Sequence, residues 1–240
     1  MQAKTADIQK LAEIFTGLGG TFVSPAAEIS ARLKKIKAIV FDWDGVFNDG
    51  FKGEGQPSIF SEADSMGTNM LRYGLWRQND EFPIAAIISG EQNPTARHFA
   101  TREHFHHVYL GIADKRNALA HLCHTQKITP ENIAFVFDDV NDLSMAAECG
   151  LRLMVRRQAG PLLHRYAINK DCCDYITGNS GSNHAVRETM EFMLGFIGNF
   201  DAVIDSRTRY DDAYKAYFER RQSVETHNFR VHNNEIISAD

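Results

Sequence analysis

"IVFDWDGVFNDG" runs from Ile39 to Gly50. An apolar run ends in two aspartates, Asp42 and Asp44, set one residue apart and followed by Gly45. A short apolar run bounded by turn formers reads as a buried strand. Two like charges at its end need something that offsets their repulsion. Similar apolar runs occur at 84–88, 133–137 and 151–155, with weaker strands at 107–110 and 174–177. Amphipathic stretches at 64–78, 92–104, 114–125, 140–149 and 182–197 alternate with them. This alternation predicts an α/β fold, with a parallel sheet covered by helices on both faces in a three-layer, Rossmann-like arrangement.

The flanks are helical. Ile8, Leu11, Ile14, Phe15 and Leu18 recur at helical spacing, and Gly19-Gly20 ends that run. Ser24-Pro25 reads as an N-cap and first-turn proline for a second helix to about Lys34. Residues 1–35 are therefore expected to form an N-terminal helical extension and 36–197 the main domain. Residues 198–240 are expected to form a C-terminal extension: a stripe of Tyr210, Ala213, Tyr214, Tyr217 and Phe218, then a loose tail over 226–240.

Of the 240 residues, 43% are hydrophobic and 24% charged, as in an ordinary globular chain, and the net charge is −5. No basic tract suggests nucleic acid. No apolar run is long enough to span a membrane, and no signal-peptide pattern is present. Cys123, Cys149, Cys172 and Cys173 form no Cys-x-x-Cys pair. Reduced thiols in a cytoplasm are the expectation.

Ligands of such sheets bind beyond the carboxyl ends of the strands. There lie Asp42 and Asp44, then Ser89-Gly90 after "IAAIIS", Lys115 at the start of a helix, and Asp138, Asp139 and Asp142 after "IAFVFD". Clustered carboxylates call for a hard cation such as Mg2+. A cation beside a lysine and a hydroxyl suits a phosphoryl group.

These residues, in this order, resemble the four motifs of the haloacid dehalogenase superfamily of phosphohydrolases. The resemblance implies that Asp42 attacks phosphorus and forms an aspartyl-phosphate, and that Asp44 acts as acid and then base. It implies that Ser89 and Lys115 hold phosphoryl oxygens. Mg2+ would be held by Asp42, Asp138 and the backbone carbonyl of Asp44. Asp139 and Asp142 would reach it through water or orient Lys115.

Only 44 residues separate Asp44 from Ser89 and 22 separate Lys115 from Asp138, which leaves no room for an inserted cap domain. Residues 46–62 read as a β-hairpin flap with a Gly-Glu-Gly turn. The chain thus resembles the capless group of 3-deoxy-manno-octulosonate 8-phosphate and nonulosonate 9-phosphate phosphatases. "FNDG", Asp64-Ser65-Met66-Gly67, "DYIT" at 174–177 and "AVRE" at 185–188 also match. The resemblance implies a sugar-acid phosphate substrate met by Gly90, Glu91, Asp64 and Arg187. It also implies a homotetramer whose neighbouring subunits complete each site. "GNSGSNH" departs from the usual glycine-rich loop, and Glu91 stands where octulosonate phosphatases usually carry arginine. A glutamate there resembles the nonulosonate branch, where it can meet substrate hydroxyls, and equally reads as a carboxylate at a helix N-terminus.

Other readings exist. A response-regulator receiver also gathers aspartates, a hydroxyl and a lysine, but there the acid pair comes first. A phosphatase of another small or macromolecular phosphate, or a catalytically silent interaction module, would share the fold. "HFHH" at 104–107 and "HLCH" at 121–124 have the residue types of zinc ligands, but their placement predicts surface histidines.

Overall fold

The computed structural model describes residues 5–53, 55, 58–233 and 235–239. Helices α1 (Thr5–Gly17) and α2 (Ala26–Leu33) open it, with a short strand β1 (Thr21–Phe22) between them. Strands and helices then alternate: β2 (Ala38–Phe41), α3 (Glu62–Asn79), β3 (Ile84–Ile88), α4 (Pro94–Arg102), β4 (His107–Leu110) and α5 (Lys115–Gln126). Next come β5 (Ile133–Phe137), the one-turn α6 (Leu143–Ala146), β6 (Leu151–Met154), α7 (Pro161–Asn169), β7 (Tyr175–Ile176) and α8 (Ala185–Ile197). Helices α9 (Phe200–Arg209) and α10 (Asp212–Gln222) precede β8 (His227–His232) and β9 (Glu235–Ser238).

All strands join one sheet, in the order β1-β7-β6-β5-β2-β3-β4-β8-β9. The strands from β7 across to β8 run parallel, as expected of an α/β fold, while β1 and β9 are antiparallel edges. The chain winds outward from β2 to β4 and then returns to β5 on the other side of β2. That reversal opens a crevice beyond the carboxyl ends of β2 and β5.

Period-2 alternation along β2 sorts its side chains between two cores. Ile39, Phe41 and Trp43 join a cluster with α3, α4 and α8, which also takes in Phe15, Ile29, Leu33, Tyr214 and Tyr217 from the flanking segments. Ala38 and Val40 face the cluster of Leu119, Leu122, Met145 and Ala167. Trp43 therefore points away from the crevice, as its position in the strand predicts; it stacks on Phe47, and its Nε1 donates to Ser58 Oγ at 2.8 Å. Asp42 lies on the α5 side, opposite Lys115.

Several expectations are corrected. Residues 226–233 and 235–239 are not the loose tail expected: β8 pairs with the edge of β4, and Phe229, Val231 and Ile236 pack on the core. The hydrophobic alternation in "HNFRVH" is too short and too polar to stand out without the partner strand. Ser24 does not cap α2; its hydroxyl donates to the buried Asp174 Oδ1 at 2.6 Å, which Arg32 also binds at 2.6 Å. The Gly-Glu-Gly turn of the flap includes Glu54, which lies outside the described residues, and residues 46–52 and 58–61 form no regular strand. His107 is buried, not on the surface. It sits on β4 beside Gln126 and β8, and burial first, then neighbouring histidines, lowers its pKa to about 4. Among the described residues no metal-ligand group includes these histidines.

Tyr214 and Tyr217 are also buried, so they bind the chain's own α3 and do not form intersubunit surface. Asn69 Nδ2 donates to the Tyr214 hydroxyl at 3.0 Å, and the Tyr217 hydroxyl donates to Asn69 O at 3.0 Å. Removing a buried aromatic side chain costs about 3–5 kcal/mol. Tyr217→Ala should lower the urea midpoint by a corresponding amount, and Tyr217→Phe by much less. Equal midpoints for wild type and Tyr217→Ala would show that α10 is not part of the cooperative unit.

Candidate active site

The backbone ladder continues one residue past β2: Asp42 N donates to Val136 O at 2.9 Å. This fixes the Asp42 side chain at the crevice. Lys115, the first residue of α5, is buried there, and its Nζ donates to Asp42 Oδ1 at 2.5 Å and to Asp142 Oδ1. Asp142 Oδ2 accepts from Asp139 N at 3.1 Å, which locks the turn after β5. Asp138 Oδ2 pairs with Arg157 Nε, while its buried Oδ1 has no hydrogen-bond partner. Asp139 is exposed and its carboxylate caps Val140 N at 2.8 Å. Gly45 takes φ +87°, and a Cβ there would stand 2.1 Å from Asp138 Oδ2, so only glycine fits this turn.

The second acid and the hydroxyl share one donor. Asn93 Nδ2 donates to Asp44 Oδ2 at 2.8 Å and to Ser89 Oγ at 2.7 Å. Lys52 Nζ pairs with Asp44 Oδ2 at 2.9 Å, and Glu91 N donates to Ser89 Oγ at 3.2 Å.

One carboxylate oxygen from each of Asp42, Asp138 and Asp142 lies within 4.8 Å of the others. Three buried carboxylates at that spacing, one with an unpartnered oxygen, fit a hard divalent cation of the Mg2+ kind. The Asp44 carboxylate lies outside this trio, which is compatible with a role through its backbone carbonyl. Burial raises the Asp42 pKa well above the usual carboxylate range; Lys115 opposes the rise and Asp142 and Asp138 add to it. Burial likewise lifts Asp138 to about 6 against the pull of Arg157. Burial disfavours the Lys115 ammonium, but Asp42 and Asp142 outweigh this and hold its pKa above the normal value.

A cavity of about 340 Å³ adjoins the cluster, lined by Gly45, Asn48, Arg157 and the loop from Gly178 to Gly181. A second, of about 520 Å³, is lined by Phe47, Phe51, Phe60, Gly181 and His184. The loop is set by the buried Glu188 carboxylate, which accepts from Tyr175 Oη at 2.7 Å, Gly178 N at 2.8 Å and Asn179 N at 2.9 Å. A Cβ on Gly181 would come within 2.3 Å of Asn48 O, so the loop packs directly on the 45–48 turn.

The structure thus gathers Asp42, Asp44, Ser89, Lys115, Asp138 and Asp142 in one crevice. Gly90 and Glu91 lie exposed just beyond β3. Asp64 and Arg187 do not join them. Asp64 is buried and accepts from Arg187 N at 2.8 Å in the first turn of α8, and the Arg187 guanidinium pairs with Glu191 at 2.7 Å. Their geometry is that of a tie between α3 and α8. Asn93, Lys52 and Arg157 were not singled out from the sequence. "VRRQAG" directly follows a parallel strand, the position that should have marked Arg157; Asn93 and Lys52 carry no comparable signal.

No protein-family model matches the chain. It is 30% identical over 181 residues to the 3-deoxy-D-manno-octulosonate 8-phosphate phosphatase KdsC of Escherichia coli strain B, covering 73% of this chain and 88% of that one. The Salmonella typhimurium KdsC is 31% identical over 184 residues, covering 75% and 89%. A HAD superfamily subfamily III A hydrolase from Legionella pneumophila superposes with a TM-score of 0.63 at 27% identity, over 76% of this chain and 94% of that one. The chain belongs to the KdsC-like branch of the haloacid dehalogenase (HAD) superfamily. It is a phosphatase of the HAD type. The 3-deoxy-D-manno-octulosonate 8-phosphate phosphatase of Moraxella catarrhalis, solved with magnesium, phosphate and KDO, superposes with a TM-score of 0.62 at 30% identity, over 75% of this chain and 97% of that one.

The Asp138 shift has a stability consequence. Between the unfolded value of 3.8 and about 6, the folded chain holds a proton that the unfolded chain has released. Metal-free stability should therefore fall as pH rises through that window. A shift of roughly two pKa units corresponds to at most about 3 kcal/mol. Asp138→Asn should melt higher than wild type in EDTA at pH 8, and Mg2+ should stabilise it far less. A lower melting temperature for the variant in EDTA would refute this.

Proposed function

We propose that this chain is a Mg2+-dependent phosphomonoester hydrolase of a sugar-acid phosphate, working through an aspartyl-phosphate on Asp42. The observation that carries the reading is the buried Asp42–Lys115–Asp142 triad with Asp138 beside it, facing the Asp44–Asn93–Ser89 chain across the crevice. Lys115 holds Oδ1 of Asp42, which leaves Oδ2 to attack phosphorus. As the Asp42 O–P bond forms, the ester P–O bond breaks and the leaving alkoxide takes a proton from Asp44. A water that gives its proton back to Asp44 then attacks phosphorus, and the Asp42 carboxylate and inorganic phosphate are released. Asn93 and Lys52 keep the Asp44 carboxyl aimed at the proton it moves. Mg2+, when bound by Asp42 and Asp138, offsets the charge of the carboxylates and the phosphoryl group.

The named activity of the KdsC relatives supports a substrate of the 3-deoxy-octulosonate 8-phosphate type, and Glu91, by its resemblance to the nonulosonate branch, supports a nonulosonate 9-phosphate as the alternative. Glu91 is exposed beside Ser89, where its carboxylate could meet substrate hydroxyls. A panel of sugar-acid phosphates, sugar phosphates and nucleotides with Mg2+ tests the reading. Hydrolysis of sugar-acid phosphates should exceed that of nucleotides by at least tenfold in kcat/KM; preference for nucleotides would overturn the substrate class. Asp42→Asn should lower kcat by ~10^4-fold or more with the fold intact. EDTA should abolish turnover and Mg2+ restore it.

We further propose a homotetramer in which a neighbouring chain walls the substrate pocket. Among the described residues no cap domain covers the site, and Phe51 and Ile59 beside it are 84% and 74% exposed. Such apolar exposure suits contact with another copy. Light scattering at assay concentration should report four chains, and a fully active monomer would refute it.

A further inference from the structure

Arg157 has no place in the chemistry above, yet it sits at the edge of the reacting centre. It follows β6, pairs with Asp138 Oδ2 through Nε, and lines the cavity of about 340 Å³ together with Gly45 and Asn48. Its side chain is 36% exposed while Asp138 is fully buried, so one end of the guanidinium reaches the cavity. The other charged residues of the lining are Arg156 and Asp49. Arg156 is committed elsewhere: Nε donates to Thr177 O at 2.7 Å, and Nη2 to Gly19 O at 3.1 Å and Thr21 Oγ1 at 3.0 Å. Asp49 is exposed at the rim.

A second observation points to the same ligand chemistry. Asn48 lines this cavity and is only 6% exposed. Its Oδ1 accepts from Gly50 N at 2.8 Å, which fixes the amide and leaves Nδ2 buried without a partner. A buried donor that lacks an acceptor is costly, by about 1–3 kcal/mol. The cavity therefore presents a guanidinium fork and an unsatisfied amide donor, and both call for an acceptor. Arginine binds a carboxylate or a phosphate through two parallel hydrogen bonds. With the phosphoryl group placed at Asp42 and Lys115, the anion of a sugar-acid phosphate left for this cavity is its carboxylate.

Resting on the sugar-acid reading above, we infer that this cavity is the subsite for the substrate's carboxylate, and that Arg157 is the specificity-determining residue that grips it, with Asn48 as second donor. Arg157 Nε pairs with Asp138 Oδ2. Were Asp138 to hold the cation, the guanidinium fork would be available to the ligand.

The test compares kcat/KM for 3-deoxy-D-manno-octulosonate 8-phosphate with that for an aldose phosphate lacking a carboxylate. Arg157→Gln should lower the ratio of the two at least tenfold, chiefly through KM for the sugar acid. Arg157→Lys keeps the charge beside Asp138 but loses the fork, so the ratio should stay depressed. If Arg157 acts only by positioning Asp138, the Gln variant loses activity on both esters by one factor and Lys restores both; that result overturns the assignment. A ratio within twofold of wild type in both variants overturns it too, while leaving the phosphatase reading intact. Failure of the wild-type enzyme to hydrolyse the sugar-acid phosphate overturns the sugar-acid reading and this inference with it.

Discussion

The carboxylates at the ends of β2 and β5 constrain everything around them. Asp42, Asp138 and Asp142 hold oxygens within 4.8 Å of one another in a largely buried crevice. Among the described residues, Lys115 and Arg157 counter the repulsion, and each touches a different edge of the cluster. The site is thus a local concentration of strain that the sheet over-determines. The ladder to Val136 fixes Asp42, the Asp142 carboxylate bolts down the turn after β5, and the glycine at 45 lets the backbone pass where no side chain fits. Stability is given up at this point and recovered in two large apolar layers.

The gathering of these residues in one crevice was legible in the sequence because it follows from topology alone. Strand ends in a parallel sheet point to one edge, so Asp42, Ser89, Lys115 and Asp138 could be placed together by counting strands. What a residue does inside the fold was less legible when it depended on a distant partner. Asp64 and Arg187 sit in matched motifs, yet they bind each other and brace two helices. Ser24 precedes a proline at a helix start, the signature of a cap, but Asp174, far along the chain, claims its hydroxyl. Asn93 needed knowledge of the fold, since it acts by spanning Asp44 and Ser89 from the helix after β3. Polar strands at sheet edges are the hardest case, because β8 has too little apolar surface to announce itself before β4 is in place.

The segments that flank the main domain in sequence are built into its structure. β1 extends the sheet beyond β7, and β8 and β9 extend it beyond β4. A buried network of Arg32, Ser24, Arg152 and Asp174 holds the first flank. On the second, Arg221 pairs with the buried Glu103, whose other oxygen accepts from Ser65 at 2.8 Å. Burying charges in this way stabilises little by itself, but a wrongly docked helix would take Arg221 away from the buried Glu103 Oε2. The networks therefore specify where the flanks sit, and the tyrosines and phenylalanines around them supply the attraction.

The pairing of β4 with β8 has a kinetic consequence. Their hydrogen bonds join residues half the chain apart, and those between β1 and β7 join residues still farther apart. Closing such long loops costs entropy before any contact repays it, so a sheet with these edges folds slowly. Until β8 arrives, β4 is an open parallel edge carrying Val108 and Tyr109, able to pair with a strand of another molecule. The hairpin that completes the sheet thus also guards nascent chains against one another, and its loss would be felt first as aggregation during synthesis.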